Sequence, residues 1–112
     1  MPELIINKAA KSQVVKMIAA KAFNIPVNLI DSPDRRLEIV YPRAVAMKVL
    51  YDETNMSLEQ IGKLFGGRDH STVRHAIQKV EDYCHKDART FARYGQTLSR
   101  FQHLTQTRKI AI

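Results

Sequence analysis

The sequence contains no tryptophan and a single cysteine, Cys84. One thiol cannot close an intramolecular disulfide and offers no paired metal-ligand spacing; Cys84 reads as a small hydrophobe on a helix. Glycine and proline are scarce, at four each, and no repeat, low-complexity run or linker interrupts the chain. No apolar stretch approaches the roughly 18 residues that span a bilayer. The N-terminal MPELIINKAAKSQ has no apolar core followed by a small-residue cleavage site. These absences point to a cytoplasmic protein with no membrane association, and 112 residues suit one domain with one modest core.

Acid is also in short supply: 11 Asp and Glu stand against 18 Lys and Arg, a net charge of +7. A small domain with that excess attracts polyanions. The charge is clustered. Residues 8–21 hold four lysines and no acid, residues 63–79 hold Lys63, Arg68, Arg74 and Lys79 against Asp69, and residues 86–112 hold six bases against Asp87. Nucleic acid is therefore the first partner to test, with an anionic surface or simple solubility as the plain alternative.

The apolar periodicity is helical almost throughout. A first helix is predicted from about Ser12 to Asn24, capped by Ser12 and burying Val14, Val15, Ile18, Ala19, Ala22 and Phe23. IPVNLI adds a short turn after Pro26. DSPDRRLEIVY breaks the pattern as a loop with an extended approach to Pro42, because the residue before a proline is biased away from helical angles. A helix from Pro42 to about Thr54, apolar nearly all round, reads as one that others pack upon. Ser57 and Gln60 then fit a capping box, Leu58, Ile61, Leu64 and Phe65 form a buried face, and Gly66 and Gly67 end that helix.

A longer helix begins near Asp69 or His70 with a stripe of Val73, Ile77, Val80 and Cys84. From Asp87 a last amphipathic helix, about 87–106, places Phe91, Tyr94, Leu98, Phe101 and Leu104 on one side, with Gly95 as a weak point. A short helix, a tight turn and a longer helix with a polar face over about 57–84 describe a helix-turn-helix, whose second helix offers its N-terminal residues to base edges. The fold class is thus all-α.

FGGRDHSTVRHAI straddles that turn and resembles an active site in composition. Adjacent Asp69, His70 and Ser71 nevertheless fan out at about 100° per residue on a helix and cannot align as orienter, base and nucleophile. Gly62 and Gly67 have phosphate-loop spacing but are followed by Arg68 and Asp69 rather than Lys and Ser or Thr. The histidines lack the spacing of a zinc site. The chain is therefore expected to be no enzyme and to need no cofactor or metal.

Asp69 as an N-cap explains itself. The cations do not: Arg68 and a protonated His70 oppose the helix dipole by about 0.3–1 kcal/mol each, whereas a phosphate there would be welcomed by dipole and free amides. Arg43, read as first-turn in the Pro42 helix, repeats the anomaly. Two positive helix starts in a basic protein favour a nucleic-acid surface.

PRAVAM followed by TNMSLEQIGKLFGGRDHSTVRHAIQKVE closely resembles the C-terminal DNA-binding domain of the bacterial replication initiator DnaA, with its Pro-Arg helix start and GGRDHTTV signature. The match is strong over about residues 42–82 and weaker over residues 12–30. The resemblance implies a helix-turn-helix that reads a short double-stranded DNA site, linked to replication initiation or its regulation, in a nucleoid-associated protein. It implies base contacts by Asp69, His70 and Ser71 in the major groove and by Arg43 in the minor groove. Phosphate contacts would fall to Arg68, Thr72, Arg74, His75, Lys79, Lys63, Arg35 and Arg36. Asp can accept from cytosine N4, Ser suits either base type, and an arginine gains from a narrow A·T minor groove. Asp69 could cap, read, or do both.

Departures accompany the match. In DSPDRRLEIVYPR the arginines Arg35 and Arg36 are diluted by Asp31, Asp34 and Glu38, and Tyr41 stands where another base is common. Ser71 replaces a Thr, and Arg74 an apolar residue. The family's ATPase domain and phosphate loop have no counterpart in these 112 residues, so a complete chain of this length is expected to be a stand-alone binder. The alternative is a regulatory or protein-interaction adaptor that keeps the fold without site-specific binding and docks a partner through the C-terminal helix. A nuclease or transposase accessory has only the His and Asp residues behind it, and RNA binding would want an aromatic stacking platform that the motif lacks.

Overall fold

The computed structural model describes residues 7–111, with side chains through residue 105. Among these the chain is all-helical: α1 Lys8–Phe23, a 3₁₀ turn Val27–Leu29, α2 Leu37–Glu53, α3 Leu58–Leu64, α4 His70–Lys86 and α5 Ala88–Ala111. The all-α helix-turn-helix reading holds. Several boundaries move, each for an identifiable reason.

α1 starts four residues before Ser12. Asn7 is the cap, accepting from the Ala10 N–H at 2.9 Å, while Ser12 lies inside the helix and donates its hydroxyl to the Ala9 carbonyl at 2.8 Å. Asn24 ends α1 in the left-handed region at φ 59°, which asparagine tolerates better than most residues. Ile30, at the end of the 3₁₀ turn, is fully buried.

α2 starts at Leu37, five residues ahead of Pro42. Proline removes only its own N–H, so one bond to the Glu38 carbonyl is lost. The first turn forms regardless, with Ile39 and Val40 N–H both bonding the Arg36 carbonyl at 2.9 Å and Ile39 entering the core. That burial outweighs the pre-proline bias. Residues 42–50 are buried without exception, and α1, α4 and α5 all pack against α2. A fully buried aliphatic side chain contributes about 1.5–3 kcal/mol, so this central helix organises the fold.

The capping box of α3 is complete: Gln60 N–H donates to Ser57 Oγ at 3.1 Å and Ser57 N–H to Gln60 Oε1 at 2.9 Å. Val73, Ile77 and Val80 are buried as the stripe predicts, with Cys84 half-buried. α5 departs from its expected face. Thr90, Thr97 and Phe101 are buried, whereas Phe91 is 60% exposed. Threonine can enter because its hydroxyl is satisfied locally: Thr97 donates to the Arg93 carbonyl at 2.9 Å and Thr90 to Asp87 Oδ2 at 2.8 Å. The helix continues unbroken through Gly95. No helix among the described residues is long and apolar enough to cross a membrane.

Candidate nucleic-acid interface

The turn between α3 and α4 is unusually close. The Arg68 N–H donates to the Gly62 carbonyl at 2.8 Å, and a Cβ on Gly62 would fall 2.0 Å from the Arg68 carbonyl oxygen. Only glycine fits there. Gly66 and Gly67 then take φ of 76° and 73°, which L side chains rarely adopt. A Cβ on Gly66 would also lie 2.8 Å from the Asp31 carbonyl oxygen, so the loop before α2 rests directly on the turn. Gly62 went unnoticed in the sequence except as part of a failed phosphate-loop pattern; a glycine inside an otherwise apolar helix face was the available signal.

α4 emerges from this turn with Asp69 as its N-cap, accepting from the Ser71 N–H at 3.2 Å. Ser71, through its side chain and then this N–H, holds the Asp69 carboxyl below the usual range. His70 is exposed, with Nδ1 3.4 Å from Asp69 Oδ1, and Ser71 is half-buried. Thr72, Arg74, His75 and Lys79 are exposed along the first three turns. A cleft of about 650 Å³ runs between α4 and the loop before α2, lined among others by Arg35, Arg43, Arg68, Thr72, His75 and Lys79. Among the described residues no group of three His, Cys, Asp or Glu side chains could hold a metal ion.

The structure divides the expected cationic contacts into two classes. Arg35 is exposed and makes no hydrogen bond or ion pair with the described residues. Arg36 is exposed but engaged: Nε and Nη2 bond the Asp34 carboxylate at 3.0 and 2.7 Å, and Nη1 lies 3.4 Å from Glu38. Those bonds lower the Asp34 carboxyl to about 2. Lys63 sits 4.0 Å from Glu59, well into solvent.

Arg43 and Arg68 turn inward. Arg43 is neither in the first turn of its helix, being its seventh residue, nor on the surface, at 7% exposure. Its Nε donates to the Ile30 carbonyl at 2.6 Å, and Nη2 to the carbonyls of Ser32 and Asp34 at 2.9 and 3.1 Å. Arg43, expected at the minor groove, is instead engaged within the protein, its donors holding carbonyls of the loop before α2. The helix-start anomaly attributed to it vanishes with the correct start of α2. Arg68 donates from Nη1 to the Phe65 carbonyl at 2.5 Å and from Nη2 to the Ser32 carbonyl at 2.6 Å, so its charge is half-buried against main chain. Burial depresses both guanidinium pKa values, with the charge of Arg68 adding to the effect on Arg43; arginines remain cations nonetheless.

Tyr41 packs edge-on against Tyr83 of α4, ring centroids 4.9 Å apart. Burial and that neighbour raise its hydroxyl to about 12. This aromatic contact fastens α2 to α4.

A family profile described as the bacterial dnaA protein helix-turn-helix matches residues 12–80, from within α1 through most of α4. The chain belongs to the bacterial DnaA helix-turn-helix family. Similar relatives include the chromosomal replication initiator proteins DnaA of Thermomicrobium roseum, Ralstonia nicotianae and Burkholderia multivorans, each 40% identical over 82 residues. The match takes in 73% of this chain but 18% of the first relative and 16% of the other two. The chain thus spans under a fifth of the length of these curated DnaA relatives. The matched part contains the Gly62 turn, the Asp69 cap and both inward arginines.

Proposed function

We propose that the protein binds double-stranded DNA sequence-dependently, in a process tied to replication initiation or its control, with the N-terminal turn of α4 in the major groove. The observation that carries this reading is one surface. Asp69, His70 and Ser71 begin a helix beside a cleft to which Arg35, Thr72, His75 and Lys79 contribute, and none of those four has another described partner. A phosphate drawn into the cleft would meet these groups and the field of Arg43 and Arg68. Asp69, His70 and Ser71 would then face base edges, Asp accepting from cytosine N4 and Ser bonding either base type.

The minor-groove role passes from Arg43 to Arg35, the exposed and unengaged arginine on the loop flanking the same cleft. Thr72, Arg74, His75 and Lys79 supply phosphate contacts, with Lys63 and Arg36 adding field more than direct bonds. We take residues 1–112 to act as one DNA-binding domain. Binding by this chain alone to duplexes selected from a random pool tests the proposal, and Arg35→Ala and His70→Ala should each reduce discrimination between selected and scrambled duplex. Lys79→Ala should weaken binding to both duplexes and lower the salt slope by about one unit. Equal affinity for all sequences would refute sequence-dependent binding.

The adaptor reading rests on a second surface. A groove of about 660 Å³ between α1 and α5 is lined by Val14, Met17, Ile18 and Leu104 with Lys21 and Arg100 beside them, and it would become the working surface if discrimination were absent.

A further inference from the structure

The inward arginines meet at a single atom. Arg43 Nη2 reaches the Ser32 carbonyl oxygen from α2 at 2.9 Å, and Arg68 Nη2 reaches the same oxygen from the α3–α4 turn at 2.6 Å. Two cations converging on one acceptor repel each other, and that repulsion is tolerated because each also binds further carbonyls: Ile30 and Asp34 for Arg43, Phe65 for Arg68. Asp31 adds an attractive charge to both. Lys16 of α1, itself buried, completes the fastening, since its Nζ bonds Asp31 Oδ2 at 2.9 Å and also the Leu64 carbonyl. Loop and turn are therefore joined by cations from α1, α2 and the turn itself, and Gly66 removes the side chain that would hold them apart.

We propose that Arg43 and Arg68 are positioning residues for DNA reading: by sharing the Ser32 carbonyl they fix the loop that carries Arg35 relative to the N-terminus of α4. The proposal rests on the DNA-binding reading above. Arg35 follows Ser32 by three residues and His70 follows Arg68 by two, so the shared carbonyl sits close in sequence to both reading elements. A protein that reads two grooves at once needs the elements entering them held at a fixed separation, because small misplacements forfeit contacts that only correct geometry provides. Neither arginine need touch DNA to matter for recognition.

The test measures affinity for a selected duplex and for a scrambled duplex across a salt series. The proteins compared are wild type, Arg43→Gln, Arg68→Lys, Arg35→Ala and the double variant Arg35→Ala/Arg43→Gln, with thermal unfolding confirming that each is folded. Arg43→Gln keeps a polar head but cannot span three carbonyls. It is expected to lower discrimination about tenfold, the scale of one lost base read, while leaving the salt slope on scrambled duplex unchanged. Once Arg35 is gone the same change should cost little further discrimination, since the group being positioned is absent. Arg68→Lys keeps the charge, reaches fewer carbonyls, and is expected to lose discrimination too; being the milder change, it carries the test if Arg43→Gln does not fold.

A fall of about one unit in salt slope for Arg43→Gln would mark a direct phosphate contact and overturn the proposal, as would losses that multiply in the double variant or a silent Arg68→Lys. Wild-type protein without discrimination would overturn the DNA-reading function and the positioning role together. Discrimination retained in wild type with multiplicative losses would overturn the positioning role alone.

Discussion

Replacing Gly62 by alanine should damage the protein, although glycine-to-alanine inside a helix normally stabilises by about 1 kcal/mol. The new Cβ would stand 2.0 Å from the Arg68 carbonyl oxygen and 3.4 Å from Val73 Cγ2, where real Cβ contacts stay beyond 3.0 Å. The turn must therefore retreat by about 1 Å, an overpacking that costs about 1–3 kcal/mol. The retreat also strains the Arg68 N–H to Gly62 carbonyl bond at 2.8 Å, worth about 1 kcal/mol. Net of the helix gain, the loss is about 1–3 kcal/mol. Thermal unfolding followed by circular dichroism should show a Tm lower by roughly 4–12 °C, at about 4 °C per kcal/mol for a chain of this size. A gel shift at temperatures where the variant is folded should also show reduced discrimination, since the displaced atoms begin α4. Gly95→Ala is the control. Its Cβ meets nothing within 4 Å, and it should raise Tm by the ordinary helix gain. A Gly62→Ala variant that melts at or above wild type would refute the close α3–α4 turn.

Lys16→Met keeps the aliphatic stem beside Phe65 but removes bonds to Asp31 and Leu64. Chemical denaturation should register a loss of about 2 kcal/mol, typical of a hydrogen bond to a charged group, and an unchanged midpoint would show that the buried ammonium contributes nothing net. The Asp34 carboxyl, lowered to about 2 from an ordinary 3.8, binds its proton more weakly in the folded than in the unfolded chain. It therefore stabilises above pH 3.8, and that contribution drains away as pH falls from 3.8 toward 2. Asp34→Asn should flatten the pH dependence of Tm in this window, and an identical acid limb would contradict the Arg36 pairing.

Local chemistry made the helix-turn-helix legible. The Ser57–Gln60 capping box, the Asp69 cap, the glycine pair and the Val73, Ile77, Val80 stripe each depend on residues near one another in the chain. The start of α2 was not legible, because the pre-proline bias at Tyr41 is local while the burial of Ile39 that defeats it is tertiary. The same limit explains the cations. Charge and helical position mark Lys16, Arg43 and Arg68 as surface residues, and nothing in local sequence announces that the carbonyls of Ile30, Ser32 and Asp34 turn inward to receive an arginine. On α5 the hydrophobic pattern selects Phe91, but a threonine whose hydroxyl bonds its own helix or the Asp87 cap buries more easily than a periodicity count allows. Arg35 was legible as a cation, and only its lack of a partner in three dimensions sets it apart from Arg36.

The central claim, that the start of α4 and the Arg35 loop together read a DNA sequence, is tested most directly by selecting duplexes from a random pool with wild-type protein and with Arg35→Ala. Wild type should enrich one short motif of contiguous positions. Arg35→Ala should enrich the same motif with information lost only at one flank, where the minor groove would be read. A pool that stays random with wild type, or a motif that Arg35→Ala leaves intact at every position, would contradict the account.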